Sequence, residues 1–365
     1  MEIPFGALVC CTLRAVLIVE RISLAPYTTL GVGGEARYFA TARSEQDLVV
    51  ALAFAKERSL PVFVLGGGSN LLVSDSGFDG LVLHIAIVGV SHDGDSTALV
   101  RSGAGEQWDA LVHYAVQHNL AGIECLAGIP GTVGGTPVQN VGAYGQEVSE
   151  SIVTVRAYDM RTEAFVDLDA DACGFAYRTS IFNTTEQGRY IVTRVDYELQ
   201  RGGAPKIAYA DLVRHFDESP SKPTLAQVAA AVREIRARKG MYIDPTRPED
   251  PDTHSAGSFF RNPIVTAAVL DQVATVMSIA REKVPHWPAP AGKVKLAAAW
   301  LLEQAGFHRG YSLGNAGISS KHTLALINRG GATAAEIVAL RERIVAEVRQ
   351  RFGVTLEQEP VSLHD

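Results

Sequence analysis

The sequence of 365 residues lacks the patterns that usually bind metals or form structural disulfides. Its four cysteines contain no CxxC pair, since Cys10 and Cys11 are adjacent and Cys125 and Cys173 are isolated. Its ten histidines form no HExxH motif, the spacing that places two metal ligands on one face of a helix. Disulfides are rare in reducing compartments, so we interpret the cysteines as the free thiols of a cytoplasmic protein. We expect no bound metal.

Long apolar runs and an excess of positive charge are also missing. No run reaches the ~18 apolar residues of a membrane helix. The apolar stretch 5–19 is broken by Arg14 and lacks a small-residue cleavage site, so we interpret it as an extension and not as a signal peptide. The 33 Lys and Arg against 40 Asp and Glu give a net charge of −7, which argues against nucleic acid and anionic membranes as partners. We expect a monomer whose partner is a small molecule.

Glycine is abundant, and it is concentrated in loops. The 34 glycines are about 9% of the chain against an average of about 7%, with clusters at 31–34, 66–70 and 128–135. None fits GxGxxG or GxxxxGK[ST], which disfavours Rossmann and kinase-like folds. Each cluster alone is typical of a tight turn. Two long clusters that follow apolar strands favour a dinucleotide, because glycine lets backbone N–H groups converge on phosphate. The small and amide residues of 139–145 suit a flat polar ring.

Hydrophobic periodicity predicts three α+β units joined by short linkers. Ser44 and Thr224 have the pattern of residues that begin a helix, as has Thr333 before the long helix near the C-terminus. A further helix is predicted over 294–305. The acidic, proline-containing stretch 240–256 is typical of a connection between units.

Several polar residues remain open to two interpretations. Arg178 lies among aromatic residues, as either a structural ion pair or an anion-binding residue. Ser258 follows a glycine but does not fit the G-x-S-x-G nucleophile motif, and a helix cap is its default role. Glu359 lies in an extended tail, where a surface carboxylate is typical. Tyr209 and Lys239 are individually unremarkable.

Seven segments, taken in order, carry a resemblance to a known family. They are 28–34, 65–72, 122–145, 177–182, 256–263, 295–298 and 321–328. Each segment alone is a weak signal, but their order and spacing together are specific. Over residues 27–359 the sequence resembles the UDP-N-acetylenolpyruvoylglucosamine reductase family, in the type with a tyrosine loop that covers the substrate.

The resemblance implies an α+β fold of the vanillyl-alcohol-oxidase (PCMH) type, in which two α+β subdomains bind FAD and a third α+β domain binds substrate. The corresponding ranges are 1–86 (with 1–20 as an extension), 87–238 joined by the tail 352–365, and 239–351. It also implies a reaction of peptidoglycan precursor synthesis: NADPH reduces FAD, and hydride passes from flavin N5 to the methylene carbon of UDP-N-acetylglucosamine enolpyruvate. The product is UDP-N-acetylmuramate.

The same resemblance implies residue roles. Ser258 is implied as the proton donor to the second carbon, while Arg178 and a protonated Glu359 stabilise the negative charge that develops there. The implied FAD contacts are Gly66, Gly67, Gly68, Ser69, Asn70, Leu71, Ile129, Pro130, Gly131, Thr132, Gly134, Gly135, Asn140, Gly142, Ala143, Tyr144 and Gly145. The implied substrate contacts are Tyr177, Tyr209, Lys239, Asn262, Lys295 and His322.

One departure from the family and two alternatives remain at this point. Many relatives continue after the position of Glu359 with an arginine and an Ile-Gly pair, whereas this sequence has Pro360 and ends at Asp365. The first alternative is another flavin oxidoreductase of the same fold that acts on an alcohol or a sugar, although no flavin-tethering histidine motif is evident. The second is a sugar-nucleotide-binding protein without catalysis.

Overall fold

The computed structural model describes residues 16–93, 97–217, 221–243, 246–247 and 249–364, so most of the expected N-terminal extension, with Cys10 and Cys11, lies outside the described residues. The α-helices are α1 (Glu45–Glu57), α2 (Trp108–Gln117), α3 (Ala210–Phe216), α4 (Leu225–Arg238), α5 (Ala267–Met277), α6 (Ala298–Gln304) and α7 (Ala334–Phe352). The strands are β1 (Ile18–Ser23), β2 (Glu35–Ala42), β3 (Val62–Leu65), β4 (Leu71–Val73), β5 (Phe78–Ile85), β6 (Val90–Asp93), β7 (Thr97–Gly103), β8 (Leu120–Ala121), β9 (Gly142–Ala143), β10 (Gln146–Glu147), β11 (Ile152–Asp159), β12 (Ala164–Asp169), β13 (Tyr190–Arg201), β14 (Ile264–Val265), β15 (His286–Pro288), β16 (Val294–Leu296), β17 (Ser312–Leu313), β18 (Ala316–Ile318), β19 (Leu326–Asn328) and β20 (Val361–Leu363). Within these ranges, none of the helices combines the length and the apolar character that crossing a bilayer requires.

The first unit is a four-stranded sheet in the order β1-β2-β5-β3, in which β5 is parallel to both β2 and β3. Helix α1 begins at Ser44, whose side chain accepts a hydrogen bond from the backbone N–H of Asp47 at 3.1 Å. Leu48, Ala51 and Leu52 are buried on one face of this helix, as the periodicity predicts. Strand β3 runs directly into the second glycine cluster, which places that loop at the carboxyl edge of the sheet.

The second unit is an antiparallel sheet in the order β12-β11-β13-β7-β6, with β8 paired to β13. Trp108 of α2 is fully buried, and its indole N–H donates to the carbonyl of Leu126 at 2.9 Å. This bond ties α2 to the segment that leads into the third glycine cluster. Helix α4 begins with the predicted capping box of Thr224 and Gln227.

The third unit packs α5, α6 and α7 against two small sheets around a core that includes Phe259, Phe260 and Phe352. The capping box of Thr333 begins α7 as predicted. The predicted helix over 294–305 is wrong in its first turn, because Val294–Leu296 forms β16 between β14 and β15. Only 298–304 is helical.

The C-terminal tail crosses between units. Strand β20 is parallel to β4, with Val361 opposite Leu71, so the tail pairs with the first unit and not with the range 87–238 that the sequence suggested. The pairing follows from the apolar character of β4, whose three residues are all buried. Just before β20, the backbone N–H of Glu359 donates to the carbonyl of Phe259 at 2.9 Å. The short tail therefore fixes Glu359 between the first and third units.

Candidate active site

A cavity of about 1110 Å³ lies where the three units meet. One wall consists of the second and third glycine clusters and the hairpin β9–β10. A second wall comprises the side chains of Arg178, Ser258 and Glu359, which come from three distant parts of the sequence. The volume slightly exceeds the usual range of about 300–1,000 Å³ for a single ligand, as a site for a large cofactor and a substrate requires.

The two glycine loops pack against each other through their backbones. A Cβ atom on Gly67 would lie 2.6 Å from the Cα atom of Gly131, a distance that no side chain tolerates. The hydroxyl of Ser69 donates to the carbonyl of Pro130 at 3.1 Å and joins the loops. Glycine is therefore required here so that the two backbones can approach each other.

The backbone N–H groups of both loops are available to an anion. Those of residues 67–70, together with Ile129, Gly131 and Thr132, donate to no described residue. Unpaired N–H groups in successive residues form a concave anion-binding site. At Gly135, which lines the cavity, an added Cβ would meet nothing within 4 Å, so the backbone itself forms the surface. These features fit the diphosphate of FAD.

Ser258 lies on the second wall beside an imidazole. Its hydroxyl Oγ is 3.1 Å from Nε2 of His322, and both residues are half-buried. Burial is the main cause that lowers the pKa of His322 to about 4, and the nearby cations Lys239, Arg236 and Arg309 lower it further. The imidazole is therefore neutral at neutral pH.

Arg178 and Glu359 form the second polar pair of that wall. The guanidinium Nε is 4.0 Å from the carboxylate Oε1. Arg178 occupies the tip of a tight turn with a φ of +57°, and the side-chain amide of Asn183 donates to its carbonyl at 3.1 Å. Burial raises the pKa of Glu359, although the charges of Arg178 and Arg261 oppose this shift. The raised pKa favours the protonated carboxyl, which can donate a hydrogen bond.

Tyr209 lines the cavity and is 45% exposed. Its ring stands edge-on to the ring of Tyr144, with 5.4 Å between the centroids. Nearby, the ammonium of Lys239 donates to a carboxylate oxygen of Asp211 at 2.8 Å and lies 5.8 Å from the centroid of Tyr144. An exposed aromatic side chain and a cation together suit a substrate that carries phosphate.

Comparisons with known proteins agree with this geometry. The C-terminal domain of UDP-N-acetylenolpyruvoylglucosamine reductase matches residues 249–363, and an FAD binding domain matches residues 36–166. The UDP-N-acetylenolpyruvoylglucosamine reductase of Streptomyces coelicolor is 46% identical over 359 residues, which are 96% of this chain and 92% of that protein. That of Thermobifida fusca is 45% identical over 352 residues, 94% of this chain and 97% of that protein.

The chain belongs to the UDP-N-acetylenolpyruvoylglucosamine reductase family. A solved structure supports the fold as well: the crystal structure of the reductase from Thermus caldophilus matches with a TM-score of 0.64 and 27% identity, over 96% of this chain and all (100%) of that one. The family, the FAD-binding fold and FAD as the cofactor, as suggested by the sequence, are confirmed.

Two residues that the family resemblance assigned to FAD do not line the cavity. Gly134 packs on the second unit, where its N–H donates to the carbonyl of Ala104 at 2.8 Å. The buried side-chain amide of Asn140 donates to Glu147 at 2.8 Å and to the carbonyl of Ala176 at 3.1 Å. Asn140 thus ties the hairpin β9–β10 to the turn that carries Arg178. The remaining assigned FAD contacts do line the cavity.

The substrate contacts assigned to the third unit also differ in position. Asn262 is exposed and lies off the cavity wall, and its side-chain oxygen accepts the backbone N–H of Ala298 at 2.9 Å. Its observed contact is therefore with the beginning of α6. Lys295 lies near the rim, with its ammonium 5.3 Å from the ring centroid of Tyr177. His322 contacts Ser258, as described above, and does not line the cavity.

Sequence reasoning missed Arg236, which lines the cavity although it is only 6% exposed. Its guanidinium donates to the carbonyl of Gly128 at 2.9 Å and to that of Met241 at 2.7 Å. Arg236 therefore stabilises the backbone at the start of the third glycine cluster through a buried hydrogen bond. The sequence signal that could have identified Arg236 is a charged residue four positions after Val232, on the apolar face of α4.

Proposed function

We propose that this protein uses NADPH to reduce UDP-N-acetylglucosamine enolpyruvate to UDP-N-acetylmuramate in peptidoglycan precursor synthesis. The observation that carries the proposal is that Arg178, Ser258 and Glu359 line one cavity together with two glycine loops whose N–H groups fit a diphosphate. Family membership supports the same substrate. When bound, FAD supplies the relay that carries hydride from NADPH to the enolpyruvyl double bond.

The residues of the chain perform the remaining work. Reduction of the double bond leaves negative charge on the carbon next to the carboxylate. Arg178 stabilises that charge as a cation, and Glu359 does so as a hydrogen-bond donor while it is protonated. One such preorganised donor is commonly worth ~3 kcal/mol of barrier. Ser258 then gives the proton of its hydroxyl to this carbon.

The other assigned residues bind the nucleotide sugar. In this proposal Lys239 contacts the diphosphate, Tyr209 closes over the substrate, and Tyr177 and Lys295 bind at the rim. Ranges 1–86 and 87–238 form the FAD-binding part, and 239–351 form the substrate domain. We further propose that the protein is a cytoplasmic monomer whose partner is its nucleotide-sugar substrate.

The proposal is tested by the consumption of NADPH with and without the enolpyruvyl substrate. We expect turnover that depends on the substrate and forms one UDP-N-acetylmuramate per NADPH. Turnover driven by oxygen, with none on the enolpyruvyl compound, would overturn the assignment and favour an oxidase of the same fold. Protein that remains colourless after incubation with FAD would contradict flavin chemistry altogether.

The role of Ser258 is tested by separating the two half-reactions. In Ser258→Ala we expect NADPH to reduce the bound flavin normally, whereas reoxidation by substrate slows by about 10²–10⁴-fold, the usual contribution of a positioned proton donor. Equal loss in both half-reactions would instead indicate a defect in folding or in FAD binding.

A further inference from the structure

The acidic connection before Ser258 is joined to the loop that carries His322. The carboxylate of Asp252, only 5% exposed, accepts the backbone N–H of Ser320 at 2.8 Å and its hydroxyl at 2.6 Å. The carboxylate of Asp250 accepts the ammonium of Lys321 at 2.9 Å. Two carboxylates thus hold two successive residues of this loop by three hydrogen bonds.

The same loop is held from within, directly before His322. The hydroxyl of Ser319 accepts the backbone N–H groups of Lys321 at 3.0 Å and of His322 at 3.2 Å. Ser319 is itself fully buried. The backbone that carries the imidazole is therefore fixed at three consecutive residues, and the side chain meets the hydroxyl of Ser258 at 3.1 Å.

We infer that Asp252 and His322 are positioning residues for proton transfer: Asp252 fixes the loop, and His322 directs the hydroxyl hydrogen of Ser258 toward the substrate. The inference rests on the proposed function, since it takes Ser258 as the proton donor. In this arrangement the neutral imidazole carries its hydrogen on Nε2 and donates it to Oγ of Ser258. The hydroxyl hydrogen is then free to point away from His322.

The proton balance follows from this hydrogen bond. The O–H bond of Ser258 breaks, and its hydrogen forms the new C–H bond with the electron pair of the substrate carbon. The O–H electron pair stays on Oγ, where the N–H of His322 stabilises the developing alkoxide. A solvent proton restores the hydroxyl afterwards. A neutral imidazole suits this role, and the low pKa that burial gives His322 keeps it neutral.

A double-variant cycle tests the coupling. His322→Phe keeps the ring volume but removes the donor, and we expect about 10²-fold slower reoxidation of the reduced flavin by substrate, with reduction by NADPH unchanged. In Ser258→Ala the N–H of His322 has no hydroxyl to orient. The double variant Ser258→Ala/His322→Phe should therefore be no slower than Ser258→Ala alone. Multiplicative losses would overturn the inference.

Conservative variants separate positioning from packing. In His322→Gln the side-chain amide places an N–H donor near the position of Nε2, and we expect reoxidation within about tenfold of wild type. Asp252→Asn keeps an acceptor for the N–H of Ser320 and should behave similarly, whereas Asp252→Ala should approach the rate of His322→Phe. A matched control is Asp79→Ala, which removes an exposed carboxylate paired with Arg37 at 3.1 Å and should change neither half-reaction.

A spectroscopic readout is independent of turnover. Nitrogen NMR of the holoenzyme labelled in histidine should show His322 as the neutral tautomer with hydrogen on Nε2, and that resonance should shift in Ser258→Ala. The opposite tautomer would overturn the inference even if Ser258 is the donor. If Ser258→Ala leaves reoxidation intact, the proposed proton donor is wrong and the inference is overturned with it. Multiplicative rate losses in the double variant contradict only the positioning role of His322.

Discussion

The two walls of the cavity are built in different ways. The cofactor wall consists mainly of backbone from residues that are close in sequence, 66–70, 129–132 and 135, with the hairpin β9–β10. Its chemistry resides in N–H groups that every amino acid except proline possesses. The second wall consists of the side chains of Arg178, Ser258 and Glu359 from three distant segments, with His322 next to Ser258. It depends on the docking of the third unit and of the tail onto the first two.

The difference determines which changes each wall tolerates. A backbone wall depends on glycine where loops approach closely, so any side chain disturbs the fold there before it affects chemistry. A side-chain wall can lose a functional group while the fold remains, because its residues are half-buried and the surrounding core is intact. Substitutions on the cofactor wall should therefore abolish flavin binding, and those on the second wall should slow one half-reaction.

The largest effect is expected at Gly68. It has a φ of +60°, and an added Cβ would overlap the carbonyl oxygen of Tyr27, so Gly68→Ala forces the loop to move. This change should abolish stoichiometric FAD binding, measured from the flavin absorbance of purified protein. Gly188→Ala is the matched control, because Gly188 has a φ of +77° with nothing within 4 Å of an added Cβ. It should retain FAD and lose only about 1–3 kcal/mol of stability through backbone strain. Full FAD content in Gly68→Ala would contradict the backbone account.

A smaller effect is expected at Arg178. Arg178→Met should slow reoxidation by substrate about 10²–10³-fold, because the cation that stabilises the developing charge is lost. FAD content should remain normal, in contrast with Gly68→Ala. Arg37→Met removes an exposed arginine and serves as the control. Loss of FAD in Arg178→Met would erase the distinction between the two walls.

The pH dependence should expose Glu359. Its pKa is raised above the usual value near 4.5, so the carboxyl keeps its proton to a higher pH than an exposed glutamate does. As the pH rises through that raised pKa, the carboxyl loses its hydrogen, and the rate of reoxidation by substrate should fall. Glu359→Gln retains an N–H donor at every pH and should remove this decline from the pH–rate profile. If the decline in rate persists in Glu359→Gln, a group other than Glu359 causes it.

The smallest effect is expected at Asn262. Because its observed contact is the N–H at the beginning of α6, Asn262→Ala should cost about 1 kcal/mol of stability, measured by urea unfolding, and leave the KM for substrate unchanged. Lys239→Met should instead raise KM about tenfold, equivalent to ~1.4 kcal/mol of binding. A comparable rise of KM in Asn262→Ala would restore its implied role as a substrate contact.

Local patterns predicted what depends on neighbours in sequence. Ser44, Thr224 and Thr333 begin helices as predicted, since a cap requires only residues within one turn. The strand Val294–Leu296 was predicted as helix because its apolar residues fit both the helical and the strand period. Only its pairing with β14 and β15 decides in favour of the strand.

Contacts between distant segments could not be predicted from the sequence by physical reasoning alone. Ser258 and His322 are 64 residues apart, and no spacing rule joins them. The same holds for the pairing of the tail with Leu71–Val73, which fixes Glu359. For Arg178, Ser258 and Glu359 the family resemblance supplied roles that the residues alone left open.

A crystal structure of the holoenzyme with FAD and the enolpyruvyl substrate tests the two-wall arrangement most directly. We predict the FAD diphosphate on the backbone N–H groups of 67–70 and 129–132, with the substrate double bond between the flavin ring and the hydroxyl of Ser258. A diphosphate bound elsewhere, or a double bond on the side of the ring that faces away from Ser258, would contradict the account.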